Sequence, residues 1–357
     1  MKKITIKEVA KECGVSTQTV SRVINESMKV RKSTRELVER KIKELGYKPN
    51  LYAKNLSWKK NKNILVSVRR IKGHTATIWT NILVSEIFAC NKDRNISIFM
   101  EQYYEDEDLK NSLLNSSNTF IDGVIIFYEK ENDKRIKILK KENIPFIIVG
   151  KSYSNEDIYV SNDDFKSVFK GVEYLFERNI EKIQGILQHI LGSHVEYLFE
   201  RNIEKIAFIT ANPTPLNLER KRGVVEAYKK YGKSLNNLNI FEKMNNQKDI
   251  YNFVQKIYKN GKLPEAFFIS GDEKAIAVLK ALEDLNVSVP EEISVLGLDN
   301  IPISEYFSPA LTTLALNYKE MSKRVYEKLK NLMIGNMEES EEIPCEIVER
   351  ESVRKVT

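Results

Sequence analysis

The chain has 357 residues, 42% apolar and 30% charged, with three cysteines and a net charge of +7. Its length implies two or three domains, and its composition excludes a disordered or fibrous chain. No run nears the ~18 uninterrupted apolar residues of a membrane-spanning helix, so no membrane association is expected. The N-terminal residues carry no apolar signal region, which predicts a cytoplasmic protein.

The charge is unevenly spread. Residues 1–62 hold 17 Lys/Arg against 6 Asp/Glu, a balance of +11, while the rest hold 40 against 44, a balance of −4. A basic head on a mildly acidic body points to a polyanion-binding module joined to something that is not one.

Thr5-Ile6-Lys7-Glu8 has capping-box spacing, and Ile6, Val9, Ala10 and Cys13 behind it share one helix face, closed by Gly14. Ser16 can cap a second helix with Val20, Val23 and Ile24 inward. Ser33-Thr34-Arg35-Glu36 predicts a second capping box, opening a third helix with Val38, Ile42 and Leu45 inward and Gly46 as its stop. Three short helices with a tight first turn form a helix-turn-helix plan, whose second helix enters the major groove. There Thr17, Gln18, Ser21 and Arg22 face outward, and Arg with guanine and Gln with adenine are geometrically matched pairs.

Lys48-Pro49-Asn50 breaks the third helix, and Asn50 can cap a short helix over 51–57. Seven residues are too few for a stable isolated helix, so DNA and a partner chain must complete it. Residues 58–62 form a basic linker.

From residue 63 short apolar strands alternate with amphipathic helices. Strands are predicted at Asn63–Val68, Ile96–Met100, Gly123–Phe127 and Pro145–Val149, with helices near 79–93, 107–117 and 132–141. A second series has strands at Ile206–Thr210, Ala266–Ile269 and Ile293–Gly297, with helices near 216–231, 247–259 and 273–284. Two such series mean two lobes of parallel sheet, which bind ligands at the carboxyl ends of their strands.

The run from Ile4 to Ala10, the run Gly14-Val15-Ser16-Thr17-Gln18-Thr19-Val20-Ser21-Arg22-Val23-Ile24-Asn25, and Leu45-Gly46-Tyr47-Lys48-Pro49-Asn50 closely resemble the head of the lactose/galactose repressor (LacI/GalR) family. The likeness continues weakly through the body. It implies a regulator, most simply a repressor, that binds pseudo-palindromic double-stranded operator DNA as a homodimer. The fold implied is an all-α helix-turn-helix head and hinge helix on a two-lobed α/β body of parallel sheets, like the periplasmic binding proteins. By that likeness the head spans 1–48 and the hinge and linker 49–62. The body spans 63–357, with a first lobe of about 63–161 plus 300–322 and a second of about 162–299 plus 323–357.

The resemblance also implies roles for particular residues. Thr5, Ser16, Thr17, Gln18, Ser21, Arg22 and Asn25 of the head, and Asn50, Ala53, Lys54 and Leu56 of the hinge, would contact DNA. Leu56 would wedge a base step in the minor groove. In the body, Trp79, Asp163, Arg220, Asp272 and Asp299 would face a small effector, a sugar or sugar-derived molecule. Gly150 and Gly271 depart from the pattern, standing where relatives place polar side chains. Arg69, Arg70 and Lys151 would suit a phosphorylated effector on charge alone.

Rival readings are a solute-binding protein without DNA function and a sugar or nucleotide enzyme. A dinucleotide enzyme needs GxGxxG after the first strand, and neither that nor a phosphate loop occurs. The cysteines and His74, His189 and His194 lack metal-ligand spacing, so no cofactor, metal or catalytic group is expected.

One feature lies outside the family pattern. Val172–Ile183 recurs without change as Val195–Ile206, a period of 23. Two copies are too few for a solenoid, so this reads as a local duplication. Only the second copy runs into Ala207-Phe208-Ile209-Thr210, so it must supply the strand, while the first is expected to keep the preceding helix.

Overall fold

The computed structural model describes residues 5–24, 30–45, 62–70, 78–104, 112–115, 121–177 and 203–354. Its contacts divide the chain between Asn61 and Lys62 into two units.

The first unit contains α1 (Ile6–Glu12), α2 (Thr17–Ile24) and α3 (Lys32–Leu45). Thr5 and Glu8 form the capping box in full, hydroxyl to the Glu8 amide and carboxylate back to the Thr5 amide. At the other end of α1, Gly14 takes φ +61°, and the Gly14 and Val15 amides donate to the Lys11 and Ala10 carbonyls. That pair of bonds satisfies the last carbonyls of the helix and reverses the chain within two residues. Ser16 then accepts from the Thr19 amide at 3.1 Å and caps α2. Val9, Ala10, Cys13, Val20, Val23 and Val38 make a small closed core. The capping box expected at Ser33 is absent, because α3 already begins at Lys32 and Ser33 lies within its first turn.

The second unit holds two six-stranded sheets. The first consists of β1 (Lys62–Arg70), β2 (Ile96–Tyr104), β3 (Gly123–Phe127), β4 (Phe146–Val149), β5 (Tyr159–Asn162) and β11 (Glu341–Ile343). Its order is β11-β5-β4-β3-β1-β2, and all its pairs are parallel. The second consists of β6 (Ile206–Ile209), β7 (Leu238–Phe241), β8 (Ala266–Ile269), β9 (Ser294–Asp299), β10 (Thr312–Ala315) and β12 (Glu346–Val348). Its order is β12-β10-β9-β8-β6-β7, parallel except for β12 against β10. Helices α4 (Ile78–Cys90), α5 (Lys134–Lys141), α6 (Asp164–Glu177), α7 (Pro215–Lys230), α8 (Gln247–Lys259), α9 (Asp272–Asp284) and α10 (Tyr318–Leu332) cover the faces. Central strands such as β3, β6 and β8 are buried on both sides, which is why they are continuous apolar runs.

The assignment of the C-terminal segments to lobes is corrected by this topology. Residues 300–322 were expected in the first lobe, yet β10 pairs with β9 in the second sheet, Thr313 opposite Gly297. Residues 323–357 were expected in the second, yet Val325, Tyr326 and Leu329 of α10 pack beneath the first sheet, and β11 joins it. The chain therefore crosses between lobes after β5, after β10 and between β11 and β12. A helix near 107–117 also fails in part: among the described residues only a single turn, Leu113–Asn115, forms there.

The first copy of the duplicated segment contributes Val172–Glu177 to the end of α6, with Val172, Leu175 and Phe176 buried. The second contributes Ile203–Ile206, where the Tyr228 hydroxyl accepts from the Ile206 amide and donates to the Glu204 carbonyl.

Candidate effector site

The carboxyl ends of β1, β3 and β4 in one lobe and of β6, β8 and β9 in the other face one cleft, enclosing a cavity of about 520 Å³. This is where parallel sheets place ligands, since the loops leaving the strands converge there.

The first-lobe wall is aromatic. Trp79 near the start of α4 stacks edge-on to Tyr128 with centroids 5.8 Å apart and leans on Phe127 at 6.5 Å. Tyr128 takes φ +54°, an unusual backbone for a bulky residue. It is held by Arg69 Nε, which donates to its carbonyl at 2.7 Å, and by a hydrogen bond between its hydroxyl and Thr80. Behind it, Arg135 is fully buried and satisfied by Asp133, the Ser67 carbonyl and the Phe127 carbonyl. Glu129 follows, accepting from the Tyr153 amide at 3.1 Å and Ser152 Oγ at 3.3 Å. Burial pushes its carboxyl up to about 7.

The second-lobe wall is built from side-chain amides and buried charge. Thr214 caps α7, with Pro215 in its first turn. Asn217 donates to the Asn212 carbonyl at 2.7 Å, and Asn245 binds Asn212 twice. Arg220, one turn along α7, donates through Nε to Asp164 at 2.7 Å and through a terminal nitrogen to Ser270 at 2.6 Å. Asp299 ends β9 at φ +128°, 7% exposed, and burial beside Asp272 raises its carboxyl well above the usual range.

Of the five body residues picked out in the sequence, Trp79, Arg220 and Asp299 line the cavity together. Asp163 and Asp272 do not. Asp163 caps α6, accepting from the Lys166 amide at 2.9 Å and pairing with its ammonium at 2.8 Å. Asp272 is fully buried and accepts from the Ile301 amide, Ser304 Oγ and Thr313 Oγ1 at 3.1, 2.7 and 2.6 Å. Those bonds fix the turn after β9, so Asp272 positions Asp299 from behind. In the head, Thr17, Gln18 and Arg22 are exposed along α2 and Ser21 is half-buried, while Thr5 and Ser16 are engaged as caps. Asn25, Asn50, Ala53, Lys54 and Leu56 lie outside the described residues.

Glu129, Glu273 and Lys274 line the cavity without having been singled out in the sequence. Lys274 had a signal. A Cβ on Gly271 would lie 2.9 Å from Lys274 Cε, so the missing side chain leaves the room that the lysine three residues later fills. Burial lowers that ammonium to about 8. Lys151, expected to favour an anionic ligand, is already held by Glu342 at 2.9 Å and by Glu219 across the cleft at 3.8 Å.

Residues 5–50 match the bacterial regulatory proteins of the lacI family, and residues 195–353 match a periplasmic binding protein-like domain, beginning at the first residue of the second duplicate. The chain thus carries a lacI-family DNA-binding domain and a periplasmic binding protein-like domain. It is similar to the NTD biosynthesis operon regulator NtdR of Bacillus subtilis (strain 168), 27% identical over 98% of this chain and 99% of that one. Among solved structures it resembles the Lac repressor dimer bound to operator and the anti-inducer ONPF, with a TM-score of 0.81 and 22% identity over 98% of this chain and 99% of that one. A LacI family regulator from Enterococcus faecium with bound ribose follows with a TM-score of 0.66 and 22% identity, over 82% of this chain and 98% of that one. Among the described residues no helix is long and apolar enough to cross a membrane.

Proposed function

We propose that this chain is a cytoplasmic transcriptional repressor that grips a pseudo-palindromic operator as a homodimer and is controlled by a small hydroxylated effector, a sugar or sugar-derived molecule. The observation that carries the reading is the joining of two devices in one chain. One is a capped helix-turn-helix with Thr17, Gln18, Ser21 and Arg22 on the outer side of its second helix. The other is an interlobe cavity where an aromatic wall faces side-chain amides, an arginine and a carboxylate. Rings suit the apolar face of a sugar, and forked donors and carboxylates suit its hydroxyls. Trp79, Arg220 and Asp299 take those roles, and Asn25, Asn50, Ala53, Lys54 and Leu56 complete the DNA contact set. Such a body binds its ligand without transforming it. Ligand that favours one lobe arrangement shifts the population of DNA-competent dimers by its differential affinity.

Selection of a binding sequence from random duplexes, followed by anisotropy titration with and without a sugar panel, tests this. A two-fold symmetric site whose affinity changes when one panel member is added is the expected result. Binding that shows no sequence preference, or a site that ignores every ligand found to occupy the cleft, overturns it.

A further inference from the structure

Among the described residues the cleft faces four cationic side chains, and three are engaged by the protein itself. Arg220 is forked between Asp164 and Ser270, Lys151 pairs with Glu342, and Arg69 Nε is bonded to the Tyr128 carbonyl. Only Lys274 carries its charge into the cavity without a hydrogen bond or ion pair among the described residues, and it lies on the second-lobe wall, its charge acting on Asp299. The carboxylates are the reverse case. The Asp299 carboxylate accepts no hydrogen bond among the described residues, although the residue is nine-tenths buried and lines the cavity. Glu273 accepts only from the Ile78 amide at 3.4 Å. Glu129 is bonded to two neutral donors, the Tyr153 amide and Ser152 Oγ.

Glu129 stands apart from the other two. Lys274 offsets Asp299 and Glu273, but the charges that act most on Glu129 are Asp157 and Asp133, both negative. Tyr128, Tyr153 and Trp79 line the same cavity as Glu129, and Trp79 packs edge-on against Tyr128. A carboxylate beside aromatic faces in a partly desolvated corner is a receptor for an ammonium group, because both attract positive charge and neither supplies any. A neutral hydroxyl there would leave the acid's burial uncompensated.

We propose that the cleft's ligand is a hydroxylated primary amine, an amino sugar or similar molecule, whose protonated amino group is seated at Glu129 against the Tyr128 and Tyr153 rings. This rests on the reading of the cleft as the effector site. The second-lobe wall then takes the hydroxyls: Asn212, Asn217 and Asn245 supply amide donors and acceptors, and Asp299 with Lys274 supplies a charged pair of hydrogen-bonding partners.

Calorimetric titration of the full chain with matched probes tests the proposal at neutral pH. Glucosamine and galactosamine are compared with glucose, galactose, N-acetylglucosamine and glucose 6-phosphate. At least one amine is expected to bind tenfold or more tighter than its hydroxyl, N-acetyl and phosphorylated counterparts. Glu129→Gln is expected to erase that advantage, so that on the variant each amine binds within a factor of about two of its hydroxyl counterpart. Tyr153→Leu, which touches an exposed ring and no charge, is expected to reduce the advantage in part. Equal or tighter binding of the neutral or phosphorylated probes overturns the proposal, and so does absence of binding by both amines. If a neutral sugar binds at least as tightly as its amine and changes operator affinity, the regulator reading stands and only the amine assignment falls.

Discussion

The two walls of the cleft solve the same problem, holding polar groups in a low-dielectric space, in opposite ways. The second-lobe wall neutralises its charge internally. Asp164 and Arg220 are both buried and bonded to each other, and the asparagines around them are bonded to one another. Among the described residues the first-lobe wall pairs no cation with Glu129, and Trp79, Tyr128 and Tyr153 line the cavity with it. A wall whose charges balance one another, as Asp164 does with Arg220 and Lys274 with Asp299 and Glu273, gives rigidity and geometry, while one holding an acid with no counter-charge gives a preference for what can supply one. Among the described residues Lys151 to Glu219 and the Ile78 amide to Glu273 span the walls, both partly exposed.

If that contrast is right, removing Arg220 gives the largest effect. Arg220→Ala leaves Asp164 buried with Ser161 as its remaining side-chain donor, and stranding one member of a buried pair costs about 3–5 kcal/mol. Urea unfolding should show the midpoint falling accordingly. An unchanged midpoint would mean that the second wall is not self-neutralised.

Glu129→Gln should act in the opposite direction. Burial raises the folded-state carboxyl from its ordinary 4.5 to about 7. The folded protein thus holds this proton more tightly than the unfolded chain does. Stability from this site is whole at acid pH, declines as pH rises from about 4.5 to 7, and stays low above that. The neutral isostere can accept from the Tyr153 amide and donate to Ser152 Oγ without the charge, so above pH 7 it should be more stable than the parent by about 2 kcal/mol, the roughly 3 kcal/mol of the full rise being reduced by solvent screening at a partly exposed group. The gain should vanish at acid pH. Thermal unfolding across that range checks both the size and the sign.

Lys151→Met is a smaller test. Its two pairings, with side chains 19–32% exposed, contribute under about 1 kcal/mol. The expected result is little change in Tm. A drop of several degrees would make the cross-cleft pair a structural tie rather than a loose bridge.

What could be read in advance follows the range of the interactions. The head's helices depend on contacts within a few residues, so the Thr5 capping box and the Gly14 reversal are visible in the sequence. Only the second capping box misled, because Ser33 and Glu36 have the right spacing inside a helix already begun. Long apolar runs betrayed the central strands. The edge strands β7 and β12, half exposed and only three or four residues long, carried no such run, and β10 and α10 could be placed only by knowing which sheet they meet. In the site, Arg220 and Asp299 were found, whereas Asp163 and Asp272 bear the same side chain as Asp299 and differ only in which donors lie nearby. Glu129 had no local signal, since its environment is assembled from four separate segments.

The smallest effect expected is that of deleting residues 184–206, and it bears on the second lobe alone. The parent joins the two copies across α6 and β6: Glu173 of the first copy binds Lys230 and Tyr231 of the α7 end, while Glu204 of the second binds Lys233. The amides of Glu204 and Lys205 both donate to Glu265, at 2.7 and 2.9 Å. After the deletion Glu181, Lys182 and Ile183 precede Ala207, the same three residue types in the same order as Glu204, Lys205 and Ile206. Tyr228, Lys233 and Glu265 would therefore meet identical partners, and the helix from the first copy would keep its buried Val172, Leu175 and Phe176. Loop-closure entropy changes slowly with length, about 0.6 kcal/mol per doubling, so shortening the connection by one repeat costs nothing in closure and gains at most about 2 kcal/mol. The deleted chain should match the parent in Tm to within a few degrees and in operator affinity within a factor of about two. A markedly lower Tm would show that the repeated segment packs as an integral part of the second lobe.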